Sequence, residues 1–120
     1  MIAVMSALSP EAQFQLRRAE RLLAERDERR TRLRGQAIVA ARLLQQLGAT
    51  RVWIFGSLDR PWFHAGSDVD LAVEGIDPRR LTEAWRRVEE IIEAPVDLVS
   101  MEDVDERLRQ RILQTGTLVS

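Results

Sequence analysis

The feature that most constrains the fold is a pair of strand-like runs joined by a short connection. The first run occupies residues 52–55 and ends at Gly56 and Ser57, and the second occupies residues 69–73. Valine, isoleucine and aromatic residues bounded by glycine and serine are typical of β-strands. The connection is too short for the crossover helix that parallel strands need, so we predict that these two strands pair antiparallel.

Three aspartates lie in or beside runs of this kind. Asp68 and Asp70 are two positions apart, so their side chains share one face of a strand. Asp97 interrupts a third apolar run over residues 95–99, where a charge is costly unless it is paired or bound to a metal. If the third run lies beside the second, the three carboxylates converge and repel one another unless a cation separates them. Because hard oxygen ligands favour Mg²⁺, such a set suits two-metal phosphoryl or nucleotidyl transfer.

The end of the first run has the residues of a phosphate site. Gly56 ends the strand, and Ser57 is a favourable N-cap for a short helical turn. Backbone N–H groups and a hydroxyl at a helix N-terminus suit a phosphate group. We therefore predict that phosphate binds here, close to the aspartates.

These motifs carry a family resemblance. Gly56-Ser57, followed ten residues later by Ser67-Asp68-Val69-Asp70, resembles the signature of the DNA polymerase beta-like nucleotidyltransferases. In a chain of 120 residues, it is similar to the minimal nucleotidyltransferase (MNT) group, which is often the antitoxin beside a HEPN-domain toxin. The resemblance covers residues 36–120.

The resemblance implies both a fold and a site. The fold is α/β, a small mixed sheet with flanking helices, preceded here by a long N-terminal helical extension. We therefore divide the chain into an extension over residues 1–35 and a minimal nucleotidyltransferase domain over residues 36–120. The implied catalytic and metal-binding residues are Asp68, Asp70 and Asp97, and the implied nucleotide-binding residues are Gly56, Ser57, Arg60 and Ser67. Pro61 departs from the glycine that is frequent in this signature.

The resemblance also implies a function. The protein would use Mg²⁺ to transfer AMP from ATP to a hydroxyl group, a tyrosine of a HEPN RNase toxin, and so neutralise the toxin in a hetero-oligomer. Two alternatives stay open: an antitoxin that blocks its toxin by contact alone, and a transferase that acts on a small molecule such as an aminoglycoside. The chain contains no tyrosine, so any transfer to tyrosine must occur in trans.

Three neighbouring side chains make the connection between the first two strands unusually aromatic. Trp62, Phe63 and His64 could stack on a base or contact a protein, but Trp62 and Phe63 could equally close the end of the core. We do not expect His64 to be a catalytic base, since metal-bound carboxylates can serve instead. Trp53 and Trp85 are predicted to lie in the core.

Helical patterns flank the predicted strands. Ser9-Pro10-Glu11 is a favourable helix start, and an apolar stripe at Ala12, Leu16, Ala19 and Leu23 follows it. We predict that this stripe packs on a partner protein or a second copy, that Gly35 interrupts the helix, and that Gly48 ends it. In the second half, Asp77 and Ser100 are predicted helix caps, and residues 117–119 a final edge strand.

Composition excludes several classes of function. The chain has no cysteine and a single histidine, which excludes thiol catalysis and zinc–thiolate sites. All 18 basic residues are arginines, so no Walker A lysine exists. The net charge of −1 gives no general field for nucleic acid. No segment reaches the length of a membrane span, and we predict a cytoplasmic protein.

Overall fold

Helices and strands alternate along residues 6–119, which are the residues that the computed structural model describes. In chain order they are α1 (Pro10–Gln46), β1 (Arg51–Phe55), β2 (Val69–Glu74), α2 (Leu81–Ile91), β3 (Val96–Ser100), α3 (Glu106–Thr115) and β4 (Thr117–Leu118). A short 3₁₀ turn (Pro78–Arg80) leads into α2. The four strands form one sheet in the order β3-β2-β1-β4. The predicted α/β fold is confirmed.

The sheet is mixed, with β2 and β3 as its parallel pair. Strand β1 pairs antiparallel with both β2 and β4, which confirms the orientation predicted from the short β1–β2 connection. Strands β2 and β3 are parallel, and α2 lies between them in sequence as the crossover that such a pair requires. The predicted edge strand exists as β4, and Val119 N–H extends the pairing by donating to the carbonyl oxygen of Val52 (2.9 Å).

Side chains on the two faces of β1 pack in two different apolar clusters. Val52 and Ile54 belong to the larger cluster, with the second half of α1 and the buried face of α2. Trp53 points to the opposite face, where it packs with Ala72, Met101 and Ile112 in a smaller cluster. Trp53 is buried, as predicted, and Trp85 is half-buried with its indole N–H donating to the carbonyl oxygen of Val96 (2.7 Å).

Helix α1 is continuous from Pro10 to Gln46, so the predicted interruption at Gly35 is wrong. The helix begins as expected, with the Ser9 hydroxyl accepting a hydrogen bond from Ala12 N–H (3.1 Å). Buried Leu33 and Ala37 flank Gly35 in the larger cluster, and their burial outweighs the roughly 1 kcal/mol that an interior glycine costs a helix. Near its end, Gly48 has φ of +114°, which favours glycine as predicted.

Gly35→Ala is expected to raise the free energy of unfolding by about 0.5–1 kcal/mol, because alanine loses less backbone entropy on folding. An added Cβ would meet no heavy atom within 4 Å, so no steric cost opposes this gain. Urea denaturation of the two proteins measures the difference. An unchanged or lower stability would show that the helix is distorted at this position.

The first half of α1 leaves several apolar side chains in solvent. Ala19 and Leu23, which belong to the predicted stripe, are exposed, as are Phe14 and Leu22. Ala12 and Leu16 are half-buried. The overall dimensions, 61 × 29 × 19 Å, reflect this extended helix. Packing of the stripe on a partner or a second copy stays a prediction.

The predicted helix caps in the second half have different outcomes. Asp77 accepts a hydrogen bond from Arg79 N–H (3.0 Å) and caps the 3₁₀ turn. The Ser100 cap is wrong, because the Ser100 hydroxyl donates to the Glu102 carboxylate (2.8 Å) and α3 begins later. Asp105 caps α3 instead, accepting from Leu108 N–H (2.8 Å).

No helix within residues 6–119 contains a stretch long and apolar enough to cross a membrane.

Candidate active site

Asp70 lies at the centre of the candidate site. In the sheet register it stands between Phe55 of β1 and Asp97 of β3. Directly paired residues on neighbouring strands project to the same face, so the Asp70 and Asp97 side chains lie side by side. Asp68 immediately precedes β2 and is exposed, as is Asp97, whereas Asp70 is half-buried. The structure thus brings two of the predicted aspartates together and places the third at the strand end.

The surroundings of Asp70 disfavour its charged form. Burial raises the pKa of its carboxyl group, and the negative charges of Asp97 and Asp68 raise it further, to about 6. None of these causes is a cation or a hydrogen-bond donor. A carboxylate surrounded by other carboxylates is a position where a positive ion would stabilise the folded chain.

This raised pKa is expected to make stability depend on pH. The pKa of the Asp70 carboxyl group in the unfolded chain is about 3.9. The stability gained from the raised pKa in the folded chain is therefore fully present below that pH and is lost as pH rises through about 6. Because Asp70 is half-exposed, solvent screening reduces the effect to about 1 kcal/mol.

The measurement compares unfolding of the wild type and Asp70→Asn by urea between pH 4 and 8, without divalent cations. The difference in unfolding free energy should move in favour of the variant as pH rises, and Mg²⁺ should stabilise the wild type more than the variant. A difference that does not vary with pH would contradict the raised pKa.

Gly56 lies against the Asp70 carboxylate. Its φ is +75°, and an added Cβ would stand 2.0 Å from Asp70 Oδ2, so only glycine fits here. Beyond Gly56 the chain forms turns, and Arg60 N–H donates to the Ser57 carbonyl oxygen (2.9 Å), as in a single helical turn. Capping by the Ser57 side chain stays a prediction, and Gly56 and Ser57 begin the loop beside Asp70.

The loop between β1 and β2 is held by α1 and β4. Arg30 donates to the Arg60 carbonyl oxygen (2.6 Å), and its guanidinium lies 5.2 Å from the centre of the Phe63 ring. Arg34 forms an ion pair with Asp59, and Asp59 also accepts from the Thr117 hydroxyl (3.1 Å). These contacts fix the loop that leads from Gly56 to Asp68.

A cleft of about 570 Å³ opens beside Gly56. Arg60, Trp62, Arg111 and Thr115 complete its lining, and the Arg60 guanidinium donates to the Thr115 carbonyl oxygen (2.7 Å). Trp62 is 66% exposed, whereas Phe63 is 2% exposed and belongs to the core. Arg111 and Thr115 were not predicted to line the cleft, because no local pattern in the sequence indicates that α3 approaches this loop.

Ser67 and His64 organise the end of the same loop. The buried Ser67 hydroxyl accepts from His64 N–H (3.0 Å), and His64 Nδ1 accepts from Gly66 N–H (3.0 Å). Both side chains therefore have a structural role just before Asp68. Nucleotide binding by Ser67 stays a prediction, as it does for Gly56, Ser57 and Arg60.

The donor groups at this site are of the chemical type that binds a hard divalent cation. Within residues 6–119, no three side chains of the ligating types are oriented close enough to hold a metal ion together. Asp68, Asp70 and Asp97 are nevertheless near enough to affect one another electrostatically, and carboxylate oxygens are the ligands that Mg²⁺ prefers. The raised pKa of Asp70 is the observation that favours a cation here.

Comparison with protein families agrees with this geometry. The family model for "Polymerase beta, Nucleotidyltransferase" matches residues 40–120. The chain belongs to this family. The matched part of this nucleotidyltransferase contains the whole sheet, the β1–β2 loop and all three aspartates. No curated protein matches the chain.

Solved structures share the fold of this nucleotidyltransferase. A protein assigned as a minimal nucleotidyltransferase is 29% identical, with a TM-score of 0.62 over 70% of this chain and 89% of that one. A toxin–antitoxin with AMP-PNP is 22% identical, with a TM-score of 0.62 over 71% and 72%. A complex of tri-AMPylated Shewanella oneidensis HEPN toxin with MNT antitoxin is 20% identical, with a TM-score of 0.52 over 71% of each chain. The predicted resemblance to the MNT group is confirmed.

Proposed function

We propose that this nucleotidyltransferase transfers AMP from ATP to a hydroxyl group of a protein acceptor. The observation that carries the proposal is the pairing of Asp70 with Asp97 on adjacent strands, against Gly56. Repelling carboxylates beside a glycine loop are costly for a purely structural protein. They are useful to an enzyme that must bind metal ions and a triphosphate.

The three aspartates have distinct roles in this proposed reaction. Asp68, Asp70 and Asp97 would hold Mg²⁺, and the bound ion would neutralise charge on the triphosphate and lower the pKa of the attacking hydroxyl. The acceptor oxygen bonds to the α-phosphorus, the bond from that phosphorus to the bridging oxygen breaks, and pyrophosphate leaves with the electron pair. Asp97, the more exposed of the paired carboxylates, accepts the acceptor's proton.

The nucleotide would lie along the cleft beside Gly56. The Gly56 and Ser57 backbone and the Ser57 hydroxyl would hold the β- and γ-phosphates. Arg60 would reach a phosphate by releasing the Thr115 carbonyl oxygen, which it contacts at 2.7 Å. Trp62, exposed on the same cleft, offers a ring on which the base could stack.

The proposed acceptor is a tyrosine of a HEPN-domain toxin, which transfer of AMP would silence. The fold shared with an MNT antitoxin bound to an AMPylated HEPN toxin supports this choice. The absence of tyrosine in this chain means that the acceptor belongs to another molecule. We assign transfer to residues 36–120 and partner contact to residues 1–35, and we place the reaction in the cytoplasm, which supplies ATP and Mg²⁺.

The test first searches the adjacent gene for a HEPN reading frame. The purified protein is then incubated with labelled ATP and Mg²⁺, alone and with the HEPN-domain protein expressed from that frame. The isolated protein should show little label, and the partner should gain the mass of AMP on a tyrosine. Asp97→Asn serves as the inactive control.

Other outcomes would identify other functions. If neutralisation requires equimolar protein, survives Asp97→Asn and leaves the toxin's mass unchanged, the protein acts by binding alone. If label appears on an aminoglycoside instead, the acceptor is a small molecule. Label on a serine or threonine of this chain would overturn the acceptor assignment.

A further inference from the structure

A second cleft lies between α1 and the end of the β1–β2 loop. Its volume is about 470 Å³, and Leu22 and Arg29 are on its α1 side while His64 and Ala65 are on its loop side. It shares no lining residue with the cleft beside Gly56. The helical wall of this second cleft precedes residue 40, where the match to the family begins. The α1 wall of the cleft is therefore outside the family match, whereas His64 and Ala65 on the loop side are within it.

Arg29 is a cation without a counterion in this cleft. Two other lining arginines have carboxylate partners, since Arg26 pairs with Asp27 (3.2 Å) and Arg32 with Glu93 (3.6 Å). Arg29 has no such partner among residues 6–119, and its Nε is buried without a hydrogen-bond acceptor. A buried, unpaired N–H of a charged group is costly. Arg29 also lines the cleft, so a carboxylate bound there would supply the missing counter-charge through a charge-assisted hydrogen bond to the guanidinium group.

The same surface offers apolar contacts. Leu22 is 53% exposed at the cleft, and Phe14 and Leu23 are exposed on neighbouring turns of α1. Glu25 and Glu28 also line the cleft, and their charges would repel the closely spaced phosphates of a nucleic acid. The combination favours a ligand with an isolated carboxylate and apolar side chains, which is the chemistry of a polypeptide segment.

We infer that this second cleft binds a largely apolar segment of the acceptor protein that carries an isolated carboxylate, with Arg29 as its anchor. The inference rests on the proposed function in that the acceptor is a protein. The loop that forms the far wall continues through Ser67 into Asp68, so a segment bound here is held beside the candidate active site. The cleft would thus recognise the acceptor without contacting the nucleotide.

The test measures the affinity of the HEPN-domain protein for the full chain by calorimetry, without ATP. Arg29→Glu should weaken binding about tenfold or more, because it replaces an ion pair with a repulsion. Arg29→Lys, which keeps the charge but loses the planar fork, should weaken it by less. Arg42→Glu is the matched control, since Arg42 is exposed on the same helix and lies outside the cleft, and it should bind like the wild type.

Steady-state kinetics separates this inference from the proposed function. Arg29→Glu should raise KM for the acceptor about tenfold while KM for ATP and kcat stay unchanged. If Arg29→Glu binds the HEPN-domain protein with wild-type affinity, the inference that the second cleft binds the acceptor is wrong, even if AMP transfer occurs. The inference is also wrong if the HEPN-domain protein does not bind to the wild type. Binding that depends on Arg29 but is not accompanied by AMP transfer would contradict the proposed function and support acceptor binding in the second cleft. Arg29-dependent binding of a single-stranded oligothymidine instead would make the cleft a nucleic-acid site and overturn the inference.

Discussion

Asp70→Asn is expected to lower AMP transfer about a thousandfold or more, since metal stabilisation of the transition state contributes several kcal/mol. Asparagine keeps the size of the side chain but removes the negative charge that a metal ion requires. The same change removes the repulsion that Asp97 and Asp68 exert on Asp70. Without metal at pH 8, the variant should therefore be as stable as the wild type or more stable.

A loss of AMP transfer without a loss of stability distinguishes a catalytic role of Asp70 from a structural one. The measurements are the initial rate of labelling and the urea midpoint on the same preparations. Asp103→Asn is the matched control, because Asp103 is an exposed aspartate outside the paired strands, and both quantities should be unchanged. Full transfer activity in Asp70→Asn would end the metal-site interpretation, while a large loss of stability would show that the carboxylate supports the fold.

Gly56→Ala is expected to lower transfer about a hundredfold or more, the effect of displacing a reacting group by roughly 1 Å. An added Cβ would stand 2.0 Å from Asp70 Oδ2, so either the loop or the carboxylate must move. The φ of +75° adds about 1–2 kcal/mol of backbone strain for alanine. Both transfer activity and stability should therefore fall.

A second glycine of the same loop provides the control. At Gly66 an added Cβ would meet only the His64 ring, at 3.1 Å, and that side chain is exposed and can shift. Gly66→Ala should therefore retain most of the activity. If Gly56→Ala is as active as Gly66→Ala, close packing of Gly56 on Asp70 is not required for transfer.

Local spacing was sufficient to predict the strands and the antiparallel pairing of the first two. The short connection between the first two strands dictated their antiparallel pairing, and the apolar run around Asp97 indicated a further strand. Periodicity cannot give register, yet Asp70 and Asp97 are directly paired. A charged side chain in each apolar run was the signal that they share a site.

Contacts between distant segments were beyond sequence reasoning. Gly35 has the propensity of a helix breaker, but burial of its helical neighbours decides the outcome. Arg30 and Arg34 lie in a stretch of α1 that is almost entirely charged and gives no local sign of a tertiary contact, yet they hold the loop through Arg60 and Asp59. Arg111 reaches the cleft beside Gly56 only because α3 folds back towards the loop. In each case the partner is far away in sequence, so no local pattern reports it.

The parallel pairing of β2 with β3 also has a kinetic consequence. Asp70 and Asp97 meet only when the crossover through α2 brings the two strands together, and closing such a long-range contact is an intrinsically slow step of folding. At neutral pH their repulsion is added to that step, because the charges approach as the strands dock. A divalent cation, or protons at low pH, would remove this barrier. The metal ion proposed for catalysis would then also accelerate the assembly of the sheet.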